Sequence, residues 1–248
     1  MSPETAFSEE FISHLRSARA VAVLTGAGVS AESGVPTFRG PDGLWKKFRP
    51  EELATFEAFQ RNPALVWEWY QYRRSIIRDI QPNPGHFALA ELEAMVPDFA
   101  LITQNVDGLH RRAGSRNVFE LHGNIMRNRC TRCGTTVADV EVTQESGLPQ
   151  CGCGGLFRPD VVWFGEMLPP GIWEQAVAAA SQAQVFLTIG TSAVVYPAAS
   201  LPLEAKANGA YVVEINFEPT PLSTVVHEAI RGKSGEILPQ LIARLKEG

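Results

Sequence analysis

The chain has 248 residues, 45% of them hydrophobic and 20% charged, the balance of a folded soluble protein built as one large domain or a domain with an insertion. Its formal net charge of −5 removes the basic footprint expected for direct nucleic-acid binding. No apolar run approaches the ~20 residues of a membrane span, and MSPETAFSEEF has neither the basic nor the apolar region of a secretory signal, so a cytoplasmic protein without a membrane partner is expected.

In chain order, Phe7 to Arg19 places Phe7, Phe11, Ile12 and Leu15 at helical spacing. Ala20 to Leu24 is an apolar run long enough for one buried strand. It leads into Gly26-Ala27-Gly28-Val29-Ser30-Ala31, which fits the G-x-G-x-x-G/A dinucleotide pattern. On that reading Gly26 permits the tight turn and Gly28 lets backbone approach a pyrophosphate. The following helix aims free N–H groups and its positive end at the phosphates. The same residues also fit a plain strand-to-helix turn. Gly34 to Gly40 then breaks any helix and carries Thr37, Phe38 and Arg39 in a loop. A dehydrogenase would show an acidic ribose ligand ~20 residues on. Here that place holds Trp45, Lys46 and Lys47, so the ordinary hydride-transfer pattern departs.

Pro50 to Ile80 is helical in pattern, with Pro63 near the start of its longer part, where a missing N–H costs nothing. Pro82 to Gly85 ends it, His86 to Met95 reads as a helix, and Phe99 to Thr103 as a second buried strand. That strand ends in Gln104-Asn105-Val106-Asp107-Gly108, three polar side chains where open α/β sheets bind ligands. A turn with helix capping would use the same residues. His122 follows a short apolar strand and precedes a glycine; it is a catalyst candidate or a satisfied structural histidine. The other histidines, His14, His86, His110 and His227, carry no comparable signal. Arg158 to Glu166 is a short β-prone run. A helix is expected from Pro169 to Ala183, a third strand at Val185–Ile189 leading into Gly190-Thr191-Ser192, and a helix from Tyr196 to Asn208. A fourth strand over 210–215 ends in Asn216-Phe217-Glu218, and a last helix begins at Ser234.

All four cysteines lie in one segment: Cys130 and Cys133, then seventeen residues, then Cys151 and Cys153. Two close pairs at that separation are a zinc-ribbon spacing, and four thiolates leave no open coordination position, so the metal would be structural. Two disulfides or four free thiols are the alternatives; without a secretory signal, zinc is favoured.

These motifs together resemble the sirtuins, NAD-consuming protein lysine deacylases, along nearly the whole chain. The matching stretches are Gly26–Ser30 with the Gly34–Gly40 loop, Thr103–Asp107, His122-Gly123, the cysteine pairs, Val162–Glu166, Gly190–Ser192 and Asn216. The resemblance implies an α/β fold: a Rossmann-type parallel-sheet domain (1–35, 81–125, 161–248) with a smaller unit, helical over 36–80 and a zinc ribbon over 126–160. It also implies that NAD is a consumed co-substrate and that the acyl-lysine oxygen displaces nicotinamide from the ribose. His122 would be the general base on a ribose hydroxyl. Asn105 and Asp107 would hold ribose, water and carboxamide. Phe38 would shield the site, and Arg39 would orient the reacting groups. NAD contacts would extend over Gly26, Ala27, Gly28, Ser30, Ala31, Thr37 and Trp45, then Gln104, Gly190, Thr191 and Ser192, and finally Asn216, Phe217, Glu218 and Ser234.

Tyr70 and Arg73 stand at i and i+3 on one helix face and match the Tyr-x-x-Arg pair of the sirtuins that remove succinyl and malonyl groups. A carboxylate-ended acyl group needs a cation and a hydroxyl donor, which these residues supply. A solvated face, with Arg74 or Arg78 equally cationic, is the competing reading. Substrate protein is expected to add as an extended strand along Val162, Trp163 and Phe164. A monomer is expected. A mono-ADP-ribosyltransferase and a non-catalytic NAD-sensing zinc module are the alternative functions.

Overall fold

The computed structural model describes residues 7–37, 49–138 and 147–247. Phe38, Arg39 and Trp45, named above, lie outside the described residues. Among those described, six parallel strands form the main sheet: β1 (Ala20–Thr25), β2 (Asp98–Thr103), β3 (Val118–Glu120), β7 (Val185–Ile189), β8 (Tyr211–Asn216) and β9 (Glu228–Arg231). Their order is β3-β2-β1-β7-β8-β9. Counted along the chain within this sheet, that is 3-2-1-4-5-6, the doubly wound Rossmann order. The order reverses between β1 and β7, so the crevice for a ligand opens beyond their carboxyl ends.

Continuous apolar runs form these strands because both faces are covered. In β1, Val21 and Val23 face a core completed by Phe11, Leu89, Leu238 and Leu241, from α1 (Glu9–Ser17), α6 (Pro84–Met95) and α10 (Ser234–Lys246). Ala22 and Leu24 face the opposite core, with Ala176, Ala180 and Leu201 of α8 (Pro170–Gln182) and α9 (Leu201–Ala207). Each fully buried Leu or Val contributes roughly 1.5–3 kcal/mol.

A second sheet has β4 (Gly123–Cys130) at its centre, with β5 (Thr136–Ala138) and β6 (Phe157–Val161) antiparallel on either side. It shares an aromatic core with α3 (Pro50–Leu53), α4 (Phe56–Arg61) and α5 (Pro63–Asp79), including Phe59, Trp67, Trp69, Tyr70 and Trp163. Arg74 fastens α5 to this sheet: it is fully buried, and its guanidinium donates to Ile125 O at 2.6 Å and Asn128 Oδ1 at 2.7 Å.

Several boundaries differ from the sequence reading. The helical stretch 50–80 is three helices: Thr55 caps α4, accepting from Ala58 N–H at 3.1 Å, and Asn62 ends α4 and caps α5, accepting from Leu65 N–H at 3.1 Å with Pro63 at the first position. Helix α6 begins at Pro84, two residues before the expected start, because Asn83 caps it and donates its own N–H to His86 Nδ1. The helix expected from Tyr196 to Asn208 is a 3-10 turn at Ala198–Ser200 followed by α9; Pro197 offers no N–H, and Pro202 suits only a first turn. Strand β9 escaped notice because it is a four-residue edge strand in which only Ile230 is fully buried. No helix among the described residues is long and apolar enough to cross a membrane.

Candidate active site

A cleft of about 1040 Å³ runs along the carboxyl edge of β1, β2, β7 and β8. At its floor, where the sheet order reverses, two glycine turns interlock. Gly26 N–H donates to Ile189 O at 3.1 Å, and Gly28 N–H to Gly190 O at 2.8 Å. A Cβ on Gly28 would lie 2.8 Å from Gly190 Cα, and one on Gly190 would lie 2.6 Å from Val29 N, with Gly190 itself at φ +60°. The Gly28 amide is therefore bonded within the chain, and its missing Cβ makes room for the chain's own backbone. Gly26, Ala27, Gly28 and Thr37 line the cleft on one side, with Gly190, Thr191 and Ser192 facing them. Asn216, Phe217 and Glu218 form the far end, where Asn216 Nδ2 donates to Thr191 O at 3.1 Å.

Gln104 lies between two elements of the site: its side chain donates to Thr191 Oγ1 at 3.1 Å, and its carbonyl lies 3.0 Å from His122 Nδ1. A carbonyl only accepts, so Nδ1 carries the proton and Nε2 the lone pair. Burial lowers the His122 pKa from its ordinary 6.5, partly offset by that hydrogen bond. The result is a neutral imidazole on the cleft wall, suited to receive a proton.

Asn105 also lines the cleft, and its Nδ2 is held by Gly26 O at 2.9 Å and Ser30 Oγ at 3.0 Å, leaving Oδ1 as an acceptor. Asp107 and Ser30 stand behind that wall. Asp107 accepts from Leu109 N–H at 2.9 Å, at the start of α7 (Leu109–Arg112), and from the Ser30 hydroxyl. Gln104 and Asn105 thus face the cleft, and the Asp107 carboxylate is engaged with Leu109 N–H behind it. Burial pushes the Asp107 carboxyl up, while Leu109 N–H, Ser30 and Arg73 pull it down. Ala31 and Ser234 do not line the cleft. Ala31 is exposed, and Ser234 donates to Glu32 Oε1 at 2.6 Å at the start of α10.

At the other end, Tyr70 and Arg73 of α5 line the cleft beside Trp69 and Ala54. The pair is not a solvated face: Tyr70 is 1% exposed and Arg73 6%. Arg73 stacks on Trp69 with 5.0 Å to the ring centroid, and Tyr70 Oη accepts from Trp163 Nε1 at 2.8 Å. Arg74 is committed to β4, and Arg78 is exposed away from the cleft, so neither replaces Arg73. The rim is Val162, Trp163 and Phe164. Their N–H groups donate to His122 O, Glu166 Oε2 and Ala54 O, each at 2.9 Å, so amides an added strand would use are engaged within the chain. The rim continues through Met167, Trp173, Val194 and Tyr196. Sequence reasoning missed these because single apolar residues after a motif carry no periodic signal.

The four cysteine sulfurs lie within 4.8 Å of one another, with Cys130–Cys153 at 3.5 Å and Cys133–Cys151 at 3.7 Å. A tetrahedron with Zn–S near 2.3 Å requires S···S of about 3.8 Å, so the set fits one structural zinc. The N–H groups of Arg132 and Cys133 point at Cys130 Sγ, at 3.4 and 3.5 Å, as they do toward a ligating thiolate.

The description "Sir2 family" fits the chain over residues 26–197. The chain is 57% identical over 233 residues to NAD-dependent protein deacylase 2 of Pyrobaculum aerophilum, covering 94% of this chain and 93% of that one. It is 52% identical to the NAD-dependent protein deacylase of Thermus thermophilus, covering 90% and 89%. Among solved structures, a Sir2 homolog–NAD complex superposes with a TM-score of 0.91 at 47% identity, covering 98% of this chain and 95% of that one. A Sir2–p53 peptide–NAD+ complex gives 0.87 at 33%, covering 98% and 100%. With its glycine turns at the point where the sheet order reverses, its imidazole on the cleft wall and its four-sulfur cluster, the chain belongs to the Sir2 family.

Proposed function

We infer that the protein is an NAD-dependent protein lysine deacylase that releases nicotinamide and an acyl-ADP-ribose ester. One observation carries the reading. His122, with Nδ1 fixed on Gln104 O, presents a basic Nε2 in a cleft that has a dinucleotide-sized floor at one end and an acyl-sized pocket at the other. NAD supplies the electrophilic ribose carbon. Gly26, Ala27, Gly190, Thr191 and Asn216 hold its phosphate and adenosine portions, Asn105 Oδ1 receives a polar hydrogen on the nicotinamide side, and His122 Nε2 takes a proton from a ribose hydroxyl. Asp107 and Ser30 act behind Asn105 and fix its amide. The cysteines hold zinc away from the chemistry, stiffening the sheet that carries the rim.

Arg73 and Tyr70 select a carboxylate-ended acyl group, succinyl or malonyl, with acetyl as a poorer fit. A buried guanidinium and a phenol that burial keeps protonated suit an anion better than a methyl. The peptide lies along the rim, where Phe164 is half-exposed and Gly165 fully open. The smaller unit is taken as 36–80 and 126–160; the aromatic core supports it but also recruits Val106, Val161 and Trp163.

Purified protein is incubated with NAD and matched peptides bearing acetyl-, malonyl- or succinyl-lysine, and products are read by mass. Loss of the acyl mass from the peptide with release of nicotinamide is the expected result. A gain of ADP-ribose mass on the acceptor would make the chain a transferase to another nucleophile, and absence of free nicotinamide would make it a binding module.

A further inference from the structure

The indole of Trp163 stands behind the acyl pocket, and its contacts say what it does there. Its Nε1–H donates to Tyr70 Oη across 93 positions of sequence. That bond uses an acceptor site of the phenol, whose single hydrogen cannot also point at an N–H. The hydrogen must therefore turn away from the indole.

The indole is itself clamped. The guanidinium carbon of Arg158 lies 3.3 Å from its centroid, and Phe59 packs on it at 5.5 Å between centroids. Arg158, 3% exposed, is paired through both Nη atoms with Glu166 and donates to Val161 O at 2.6 Å. Glu166 in turn accepts Trp163's own N–H. Ring and main chain are thus held by one ion pair, and the direction of the indole N–H is fixed before any ligand arrives.

We propose that Trp163 is a positioning residue for acyl selectivity: by occupying the acceptor side of the Tyr70 hydroxyl it turns the O–H toward the acyl terminus, as a donor beside Arg73. A carboxylate, which only accepts, gains from a hydroxyl presented this way; a methyl does not. The inference rests on the reading that Tyr70 and Arg73 receive the acyl end.

The test compares Trp163→Phe, Tyr70→Phe and the double variant. Phenylalanine keeps an aromatic ring between Arg158 and Phe59 and removes only the N–H and the second ring. The readout is the ratio of kcat/KM for succinyl-lysine over acetyl-lysine in the same peptide, which a general loss of fold lowers in neither direction. Trp163→Phe is expected to lower that ratio about fivefold to tenfold, mainly through KM for the succinyl peptide, as expected for a misdirected hydrogen bond to a charged group. The double variant should fall no further than Tyr70→Phe, because the indole acts only through the hydroxyl. If Tyr70→Phe lowers the ratio and Trp163→Phe does not, or if the two losses add, the role of the indole is overturned and the acyl pocket stands. If Tyr70→Phe leaves the ratio unchanged, the acyl-pocket reading falls, and the indole's role with it.

Discussion

Replacing Arg73 by methionine isolates the charge that the acyl pocket offers. The guanidinium is 6% exposed and stacked on Trp69, so solvent screens it little, and Arg74 and Arg78 are not placed to substitute for it. A hydrogen-bonded contact to a charged group contributes about 1.5–3 kcal/mol. Two donors of one fork act as a unit, so a loss of about 2–3 kcal/mol is expected for a carboxylate-ended acyl group, roughly 30- to 150-fold in kcat/KM. Methionine fills much of the same channel with a flexible apolar chain but leaves the buried Asp107 carboxylate without a compensating cation, so a modest fall in melting temperature is expected beside the change in selectivity. The assay is nicotinamide release with succinyl- and acetyl-lysine in one peptide sequence. The succinyl-to-acetyl ratio is expected to collapse by that factor. A ratio unchanged within twofold, with both activities falling together, would show that Arg73 supports the fold and reads no acyl group.

Further outcomes follow from the same geometry. His122→Ala should lower deacylation by roughly 10²- to 10⁴-fold, the usual contribution of a general base. The base acts only when neutral and burial lowers its pKa, so activity should hold through pH 6.5 and fall below it; an acid limb centred above 6.5 would contradict the burial argument. Gly190→Ala puts a Cβ 2.6 Å from Val29 N at a φ of +60°, and should cost about 1–3 kcal/mol by denaturant unfolding while raising KM for NAD; a wild-type midpoint would mean the two turns separate readily. Metal analysis should find one zinc per chain in the wild type and none in Cys151→Ser, with a lower melting temperature. Retention of zinc at wild-type stoichiometry would exclude the four-sulfur assignment.

What could be read from the chain was whatever is local. Glycine turns after an apolar run, the polar triplet after β2 and the i, i+3 pair on α5 each sit within a few residues, and the strand order then brings their elements together. Contacts made by distant residues were out of reach. Ser234 looks available in sequence, but Glu32, 202 positions away, takes its hydroxyl. Asp107 reads as a ligand of the cleft, yet the Leu109 amide draws its carboxylate under the wall. The central strand β4 of the antiparallel sheet went unseen because it is mixed in polarity; Asn128 and Arg158, both buried in that sheet, find partners on α5 and in the Val162–Glu166 turn.

Asn105 and Arg73, at the two ends of the cleft, are linked through residues that do not line it. Ser30 holds the Asn105 amide and donates to Asp107, and the Asp107 carboxylate acts on Arg73. Burying a guanidinium in an aromatic pocket costs several kcal/mol, and the Asp107 carboxylate offsets part of that. The same carboxylate is anchored on the first N–H of α7, so its position is set by the main sheet and not by α5. On the proposed function, the charge offered to the acyl end is stabilised by a carboxylate that follows β2, while the hydroxyl beside it accepts from Trp163 of the rim. On the same reading, a substitution at Asp107 would alter the charge balance at Arg73 and the support of Asn105 together, tying acyl choice to nicotinamide departure.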